Sequence, residues 1–284
     1  MDLQPIEFRE SITREEFQKE YYLPQKPLIF RSFGENWPSM QNWTYERFKT
    51  LVGHEKVQVF GSWKTNQPTR IKMPPEQVMS FSDYIDLIQQ GPNDFRLFLF
   101  NIFKYAPQLK QDFTFPDIAD GWVKSVPVMF FGGEGSEVRL HYDIDLSNVF
   151  LTQFSGEKRV TLFSPEMSPF LYKQPMGSHS NVDLRNPDYN EFPALAKAEG
   201  FTAVLKHGDT VFMPSGWWHY NEYITTGFGM ALRTVNSSIL KQLKGAYNVF
   251  IMKKVDDLIS TYYEEKWADW KKRMARQMAE RAAS

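Results

Sequence analysis

The feature of this sequence that most constrains its fold is a succession of short apolar stretches, broken by glycine-containing turns, in its second half. Each stretch is four to seven residues long, which is the length of a β-strand and too short for a typical helix. Many short strands with tight turns are typical of an antiparallel barrel or of two packed sheets. The predicted strands are 125–131, 138–143, 148–154, 158–163, 210–213 and 228–234.

Turn residues between these strands predict how they connect. Gly132–Gly135 and Ser155–Glu157 are rich in glycine and polar residues, so each is predicted to close a β-hairpin. The stretch 164–203 is rich in proline, asparagine, aspartate and serine. It is predicted to be a long insert with one short helical piece near Ala194.

The first 103 residues mix helical and strand patterns. Thr13 and Glu16 have the spacing of a capping box, which predicts that a helix begins there. Before the run of strands, the patterns predict helices at 13–22, 44–52 and 82–90 and strands at 27–30, 56–60 and 95–103.

After Ser237 the apolar residues recur at helical spacing to the end of the chain. One interpretation is a pair of helices packed on the barrel. The other is a dimerisation element, because Trp267 and Trp270 need a surface that buries them. We therefore divide the chain into a main domain at 1–236, with an N-terminal helix-and-strand extension, and a C-terminal helical segment at 237–284.

The composition excludes several classes of chemistry. The chain has no cysteine, so disulfides, thiolate zinc sites, iron–sulfur clusters and cysteine nucleophiles are ruled out. Its net charge is −1, which gives no electrostatic reason to expect nucleic acid or a membrane surface as a partner. We expect no secretory signal, because Met1–Phe8 carries Asp2 and Glu7 and has no apolar run. We also expect no membrane span, because the longest apolar stretch, Val126–Phe131, is far too short. A cytoplasmic protein is the expectation.

Two separate segments offer the ligands of a metal site. His141 and Asp143 are two residues apart, so on a strand both side chains project from the same face. His219 follows a compact turn, Pro214–Gly216, at the entrance to another strand. Two imidazoles and a carboxylate form the facial triad that leaves open positions on iron(II). Asp145 has the same parity as Asp143 and is the rival carboxylate, whereas His54, His179 and His207 are predicted to have other roles.

These residues lie in a set of motifs that resembles the JmjC and cupin-like oxygenases. The resemblance rests on LHYD at 140–143, QFSGEKR at 153–159 and LFSP at 162–165, and on GDTVFMP at 208–214 followed by WWH at 217–219. The segment VDLRNPDYNEFP at 182–193 is similar to one in the asparaginyl hydroxylase that inhibits hypoxia-inducible factor. The resemblance covers roughly residues 25–236 and is densest from 138 onward.

The resemblance implies a mainly β fold, a double-stranded β-helix of the jelly-roll or cupin type, with flanking helices and C-terminal helices. It implies that His141, Asp143 and His219 hold iron(II), and that 2-oxoglutarate chelates the same ion. Lys158 falls at the family's position for binding the far carboxylate, which needs a paired charge when buried. Arg159 and Arg233 are the fallback partners.

This sequence departs from the family at three positions around the co-substrate. Phe98 and Val138 stand where the family has a tyrosine and a threonine, and neither can donate that hydrogen bond. Asn148 is the nearest match to a family asparagine near the iron, about one residue out of register. Binding of 2-oxoglutarate is therefore less firmly indicated than binding of metal.

The implied reaction consumes dioxygen and 2-oxoglutarate, releases succinate and carbon dioxide, and hydroxylates a C–H bond. Trp217, Trp218, Phe150 and Phe212 are candidate walls of the pocket, and the substrate is a protein, a peptide or a small molecule. Two alternatives stay open, because one fold hosts many functions. The first is a cupin-type metal enzyme that does not use 2-oxoglutarate, and the second is a non-catalytic cupin-like binding module. The direction of the Lys158 side chain distinguishes the leading hypothesis from the first alternative.

Overall fold

Two β-sheets and a set of flanking helices make up this computed structural model, which describes residues 1–62, 64 and 75–284. The strands, in chain order, are β1 (Asp2–Pro5), β2 (Phe8–Arg9), β3 (Leu28–Phe30), β4 (Lys56–Phe60), β5 (Gln77–Ser80), β6 (Arg96–Phe100), β7 (Val128–Gly132), β8 (Glu137–His141), β9 (Asn148–Ser155), β10 (Lys158–Phe163), β11 (Glu199–Leu205), β12 (Thr210–Met213), β13 (Trp218–Tyr223) and β14 (Gly227–Thr234).

The helices lie mostly at the two ends of the chain. They are α1 (Arg14–Phe17, continued by a π-helical turn at Gln18–Tyr22), α2 (Ser39–Asn42), α3 (Tyr45–Val52), α4 (Phe81–Gln89), α5 (Ile102–Tyr105), α6 (Ile239–Tyr247, continued by a π-helical turn at Asn248–Met252) and α7 (Lys253–Ala283). Short 3-10 helices occupy Pro107–Asp112, Pro165–Met167 and Pro193–Lys197. The predicted mainly β fold with flanking and C-terminal helices is confirmed.

Successive strands from β7 to β14 alternate between the two sheets, except that β10 and β11 are neighbours. In the described part of the chain the smaller sheet has the order β1-β11-β10-β13-β8. The larger has the order β2-β3-β12-β9-β14-β7-β6-β4-β5. This alternation, with antiparallel pairs in both sheets, is the jelly-roll arrangement that the resemblance implies.

Both predicted hairpins are wrong for the same reason. Gly132–Gly135 leads from β7 in the larger sheet to β8 in the smaller one, and Ser155–Glu157 leads from β9 to β10 in the same direction. Glycine and polar residues indicate that the chain turns. Which sheet the next strand joins depends on its pairing strands, and these are distant in sequence. Gly156, with φ of +71°, is needed at its crossing because a Cβ there would lie 2.4 Å from the Thr226 carbonyl oxygen.

The two faces of the larger sheet serve different cores. Alternate residues of β9 and β12 face the smaller sheet, where Leu151 and Val211 meet Val160 and Leu162 of β10 in one apolar cluster. This cluster is the interior of the barrel. The expectation that Phe150, Phe212 and Trp218 line the pocket fails, because their parity places them on outer faces. Trp217 belongs to the interior cluster.

The outer face of the larger sheet is covered by the N-terminal extension through packed aromatic rings. Phe150 is fully buried, and its ring lies 5.0–5.8 Å from the rings of Phe17, Phe33, Trp122 and Phe212. Such contacts add to the burial of large apolar areas. These contacts account for part of the high aromatic content of the sequence, which is 16%.

Most predicted elements outside the hairpins are confirmed, but several boundaries are wrong. The strand predicted at 125–131 begins only at Val128, and the strand predicted at 138–143 ends at His141. The predicted strand 95–103 ends at Phe100, because the chain turns into α5 two residues later. The insert 164–203 holds the predicted helical piece, at Pro193–Lys197, but its last residues begin β11. β11 is a strand because β10 and β1 pair with it on both sides, and these partners are distant in sequence.

The C-terminal segment packs on the outer face of the smaller sheet. Ala275 and Ala279 lie in one cluster with Leu140 and Trp218. The long helix α7 breaks at Tyr263, where φ is −135° and ψ is 37°, so its two arms fold back on each other. A fully buried ion pair from Lys271 Nζ to Asp256 Oδ1, 2.5 Å long, joins the arms.

Helix α6 also touches the loop that follows β8. Asn248 Nδ2 donates to the carbonyl oxygen of Ile144 at 3.2 Å. One turn earlier, Gly245 lies so close to the loop that a Cβ there would be 2.1 Å from the carbonyl oxygen of Asp145. The helix and the loop are therefore in direct backbone contact. None of the described helices has the length and apolar character of a membrane span.

Replacing Phe150 by alanine should destabilise the protein strongly, because the aromatic contacts between the extension and the barrel are lost along with buried area. We expect the free energy of unfolding to fall by about 3–5 kcal/mol. Chemical denaturation measures this change. Phe8→Ala is the matched control, since Phe8 is 42% exposed and should cost less than about 1 kcal/mol. Equal losses in the two variants would contradict this account of the core.

Candidate metal centre and its pocket

The pairing of β8 with β13 brings the two predicted histidine ligands together. His141 ends β8, directly opposite His219 on β13, and the ring centroids are 4.2 Å apart. Asp143 lies two residues beyond the end of its strand, and its Oδ1 is 4.0 Å from the Nε2 atom of each histidine. One ligand atom from each residue lies within 4.8 Å of the others. Small side-chain rotations would bring all three onto a single ion.

A tight turn after β8 aims the carboxylate of Asp143. The amide nitrogen of Leu146 donates to the carbonyl oxygen of Asp143 at 3.0 Å, and Leu146 adopts a positive φ of 54°. Asp145, the rival carboxylate, accepts hydrogen bonds from the amide and hydroxyl of Ser147 within this turn. Asp145 therefore stabilises the loop, whereas Asp143 is the carboxylate that lies next to the two histidines.

Backbone carbonyls set the orientation of both imidazole rings. His141 Nδ1 lies 2.7 Å from the carbonyl oxygen of Arg139, and His219 Nδ1 lies 3.2 Å from that of Trp217. Because a carbonyl oxygen only accepts, each Nδ1 carries the proton and each Nε2 presents its lone pair to the centre. This is the supporting contact that metal-binding histidines require.

The charge states at neutral pH also suit a cation. Burial is the main cause that lowers the pKa of His141 to about 3, and the nearby His219 is the second cause. Burial also lowers the pKa of His219. Burial alone would raise the pKa of Asp143, but Arg233 and the two histidines outweigh it and the pKa is lowered. Arg233 Nη2 lies 3.1 Å from Asp143 Oδ2, the oxygen that faces away from the histidines. Neutral imidazoles and an ionised carboxylate are the forms that bind metal.

The other histidines lie outside this cluster. His207 bonds through Nδ1 to the carbonyl oxygen of Phe154, and His54 is exposed beside Glu55. His179 is buried next to β8 in an isolated bridge with His141. Among the described residues, no second group of three histidine or acidic side chains forms a comparable cluster.

Lys158 faces the barrel interior on the same wall as His219. On the smaller sheet Leu162 lies opposite His219 and Lys158 lies opposite Tyr223, four residues further along. Residues four apart on a strand share a face. Lys158 is 2% exposed, and its Nζ sits 4.3 Å above the ring of Tyr223. No carboxylate in the described part of the chain pairs with it, and burial lowers its pKa to about 7.

The remaining predicted contacts have other partners. Asn148 Nδ2 donates to Tyr22 and Thr234, and its Oδ1 accepts from Gln25 and from the amide of Ser215. These four bonds use the whole capacity of the amide, so the prediction that Asn148 binds co-substrate is not supported.

The two fallback arginines are also engaged elsewhere. Arg159 pairs with Glu222 at 2.6 Å on the outer side of the sheet, with 46% of its side chain exposed. Arg233 pairs with Asp143, a role that sequence reasoning missed. Phe98 is 40% exposed and packs against Phe60, whereas Val138 lies opposite Asn221 on the inner wall.

The fold and this cluster together define a cupin barrel with a candidate site for a divalent metal on its inner wall. Residues 14–237 match the family described as cupin-like domain. Because the match spans well over half of the chain, the protein belongs to that family. Family and fold both fit an oxygenase of the JmjC/cupin type.

Named relatives share about a quarter of their residues with this chain. Lysine-specific demethylase 8 of Xenopus tropicalis is 26% identical over 227 residues, which cover 76% of this chain and 50% of the relative. The same-named protein of Danio rerio is 28% identical over 230 residues, 76% of this chain and 55% of the relative. tRNA wybutosine-synthesizing protein 5 of Gallus gallus is 27% identical over 242 residues, 78% of this chain and 74% of the relative. The chain thus spans about half the length of these demethylases.

Replacing Lys158 by methionine should stabilise the metal-free protein, because it removes a buried cation that none of the described carboxylates neutralises. An unperturbed lysine has a pKa of 10.5 and Lys158 in the folded protein has a pKa of about 7, so the unfolded chain binds more protons between these pH values. The stability of the wild type therefore rises with pH across that window. We expect Lys158→Met to gain ~2 kcal/mol near pH 6 and progressively less toward pH 9.

Urea denaturation in the presence of a chelator measures this difference. Lys206→Met is the control, since the Lys206 side chain is 64% exposed and its replacement should change little at either pH. A Lys158→Met protein that is less stable than the wild type at both pH values would show that Lys158 has a compensating partner.

Proposed function

We propose that this protein is an iron(II)- and 2-oxoglutarate-dependent dioxygenase that hydroxylates a C–H bond of its substrate. A metal site on a cupin barrel alone suits many chemistries. What narrows the choice is that the cluster of His141, Asp143 and His219 shares an inner wall with Lys158, a buried ammonium that no described carboxylate pairs with. An anionic ligand that extends from the metal into the barrel would stabilise this buried ammonium.

The three clustered residues would hold iron through the Nε2 atoms of His141 and His219 and a carboxylate oxygen of Asp143. Two imidazoles and one carboxylate leave positions for a chelating co-substrate and dioxygen. Bound iron and 2-oxoglutarate would supply the oxidant for hydroxylation, with succinate and carbon dioxide as coproducts. Arg233 keeps Asp143 ionised and fixes its second oxygen.

Lys158 would bind the far carboxylate of 2-oxoglutarate. The ammonium lies on the barrel interior among apolar side chains, where a charge-assisted hydrogen bond is strong and bulk water is excluded. The absence of hydroxyls at Phe98 and Val138 is consistent with a different second donor at this end of the site.

For the substrate, we propose a protein or peptide side chain. This choice rests on the relatives named as lysine-specific demethylases and on the net charge of −1, which does not favour a polyanion. The relative named for tRNA makes RNA the alternative that a substrate screen should include, alongside small molecules. A cytoplasmic location stays a prediction.

The first experiment is succinate formation from 2-oxoglutarate by purified protein with iron(II) and ascorbate under air, without an added substrate. We expect slow turnover by the wild type and a loss of about 100-fold or more in His141→Ala and Lys158→Ala. His54→Ala and Lys206→Ala are matched controls, because both side chains are mostly exposed and lie outside the site.

The proposal fails if the wild type forms no succinate and the metal-loaded protein does not bind 2-oxoglutarate. Metal binding without 2-oxoglutarate binding would favour a cupin-type enzyme that works without this co-substrate. Unchanged melting in the presence and absence of metal would favour the non-catalytic binding module.

We also propose that the C-terminal segment forms a homodimer. Along α6 and the first arm of α7 the usual burial pattern is reversed. The buried residues are Gly245, Asn248, Met252, Asp256 and Ser260, whereas the exposed face is apolar. A continuous apolar stripe of this length is too large for a free surface, and a two-fold axis would bury it against itself. The stripe contains Ile239, Leu243, Tyr247, Phe250, Leu258 and Tyr262.

A charge within the stripe should separate the two copies. We expect Phe250→Glu to shift the mass measured by light scattering from dimer to monomer while leaving the melting curve cooperative. Phe250 is 65% exposed, so the change places no charge in the core. Leu23→Glu, at a position also 65% exposed but outside the segment, should stay dimeric. A monomeric wild type at micromolar concentration would refute the dimer.

A further inference from the structure

Between the metal cluster and Lys158, the inner wall of the smaller sheet carries one more polar side chain. Strand alternation along β13 turns His219, Asn221 and Tyr223 to the same inward face. Tyr223 lies opposite Lys158, so Asn221 stands midway between the metal ligand and the lysine. A ligand that extends from the metal to Lys158 has to pass this residue.

The amide of Asn221 has no protein partner in the part of the chain that the structure describes. The residue is 9% exposed, its Oδ1 is closed off from solvent, and neither amide atom is hydrogen-bonded. Its neighbours across the sheet are Val160 on one side and Val138 on the other. Burying an unpaired amide lowers the stability of the fold, a cost that a third valine would avoid. The amide therefore needs a partner other than the residues that the structure describes.

The other inward polar groups near this position are already engaged within the fold. Gln153, on β9 of the facing sheet, donates through Nε2 to the carbonyl oxygen of Ser155 at 2.6 Å. The ring of Tyr223 lies under the ammonium of Lys158. Of these side chains, Asn221 is the one whose amide makes no hydrogen bond to a described residue.

On the basis of the proposed co-substrate, we propose that Asn221 binds the far carboxylate of 2-oxoglutarate together with Lys158. A carboxylate has about four lone-pair positions, and an ammonium beside it leaves some of them open. The NH₂ group of Asn221 would donate to one of these. Because Val138 faces it across the strand pair, the amide supplies the second hydrogen bond at a place where the neighbouring strand offers none.

The test is the dissociation constant of 2-oxoglutarate for manganese-loaded protein, measured by calorimetry. Asn221→Val matches the two valines that flank the site, and we expect it to weaken binding about tenfold. Asn221→Asp should weaken it further, since two carboxylates would face each other. Manganese affinity should not change. Binding of 2-oxobutyrate, a 2-oxo acid without a far carboxylate, should also be the same in wild type and Asn221→Val.

The outcomes separate this inference from the proposed function. If Asn221→Val binds 2-oxoglutarate as tightly as the wild type while Lys158→Met does not bind it, Asn221 has no part in the site and the function stands. If Asn221→Val weakens both acids equally, the effect is structural and the inference is wrong. A wild type that binds no 2-oxoglutarate overturns both. Should Asn221→Val fail to fold, Asn221→Thr serves in the same comparison.

Discussion

The antiparallel pairing of β8 with β13 is the constraint on which the candidate site depends. It sets His141 directly against His219, and the turn after β8 then swings the carboxylate of Asp143 toward both. Neither strand alone could gather the three side chains, because only alternate side chains of a strand project from the same face. The backbone carbonyls that orient the two rings lie two residues before each histidine, at Arg139 and Trp217. The same local geometry thus serves both ligands.

The inner wall of the smaller sheet carries polar groups that lower the stability of the fold and that would favour the binding of a ligand. Lys158 and Asn221 both lie in an apolar interior without described hydrogen-bond partners, although residues beside them on the same face, such as Val160 and Leu162, are hydrophobic. Each polar group raises the free energy of the empty fold. A ligand that carries negative charge at one end and chelating oxygens at the other would relieve both costs at once. Preformed polar groups of this kind reduce the reorganisation that binding requires.

Much of this fold could be predicted from local sequence, and the errors have a common cause. Strand β10 and the helix that begins after Thr13 have the boundaries expected from apolar spacing and capping, because those signals act within a few residues. The two crossings at Gly132–Gly135 and Ser155–Glu157 looked like hairpins, since the receiving sheet is decided by partners far along the chain. The grouping of His141, Asp143 and His219 was predictable from residue type and spacing, although Asp143 reaches the histidines from a turn beyond the end of β8 and not from the strand itself. Asn148 was not, because the four groups that saturate its amide come from separate elements.

The backbone contact between Gly245 and Asp145 limits which sequences this architecture can tolerate. Glycine inside a helix costs about 1 kcal/mol relative to alanine, so drift would ordinarily replace it. At position 245 every other residue would drive its Cβ into the loop that carries Asp143, since the carbonyl oxygen of Asp145 is only 2.1 Å away. A substitution at this buried position of a peripheral helix would thus be selected against through the loop that carries Asp143. Chains that keep this docking should keep the glycine, and chains that lost it should show the helix displaced.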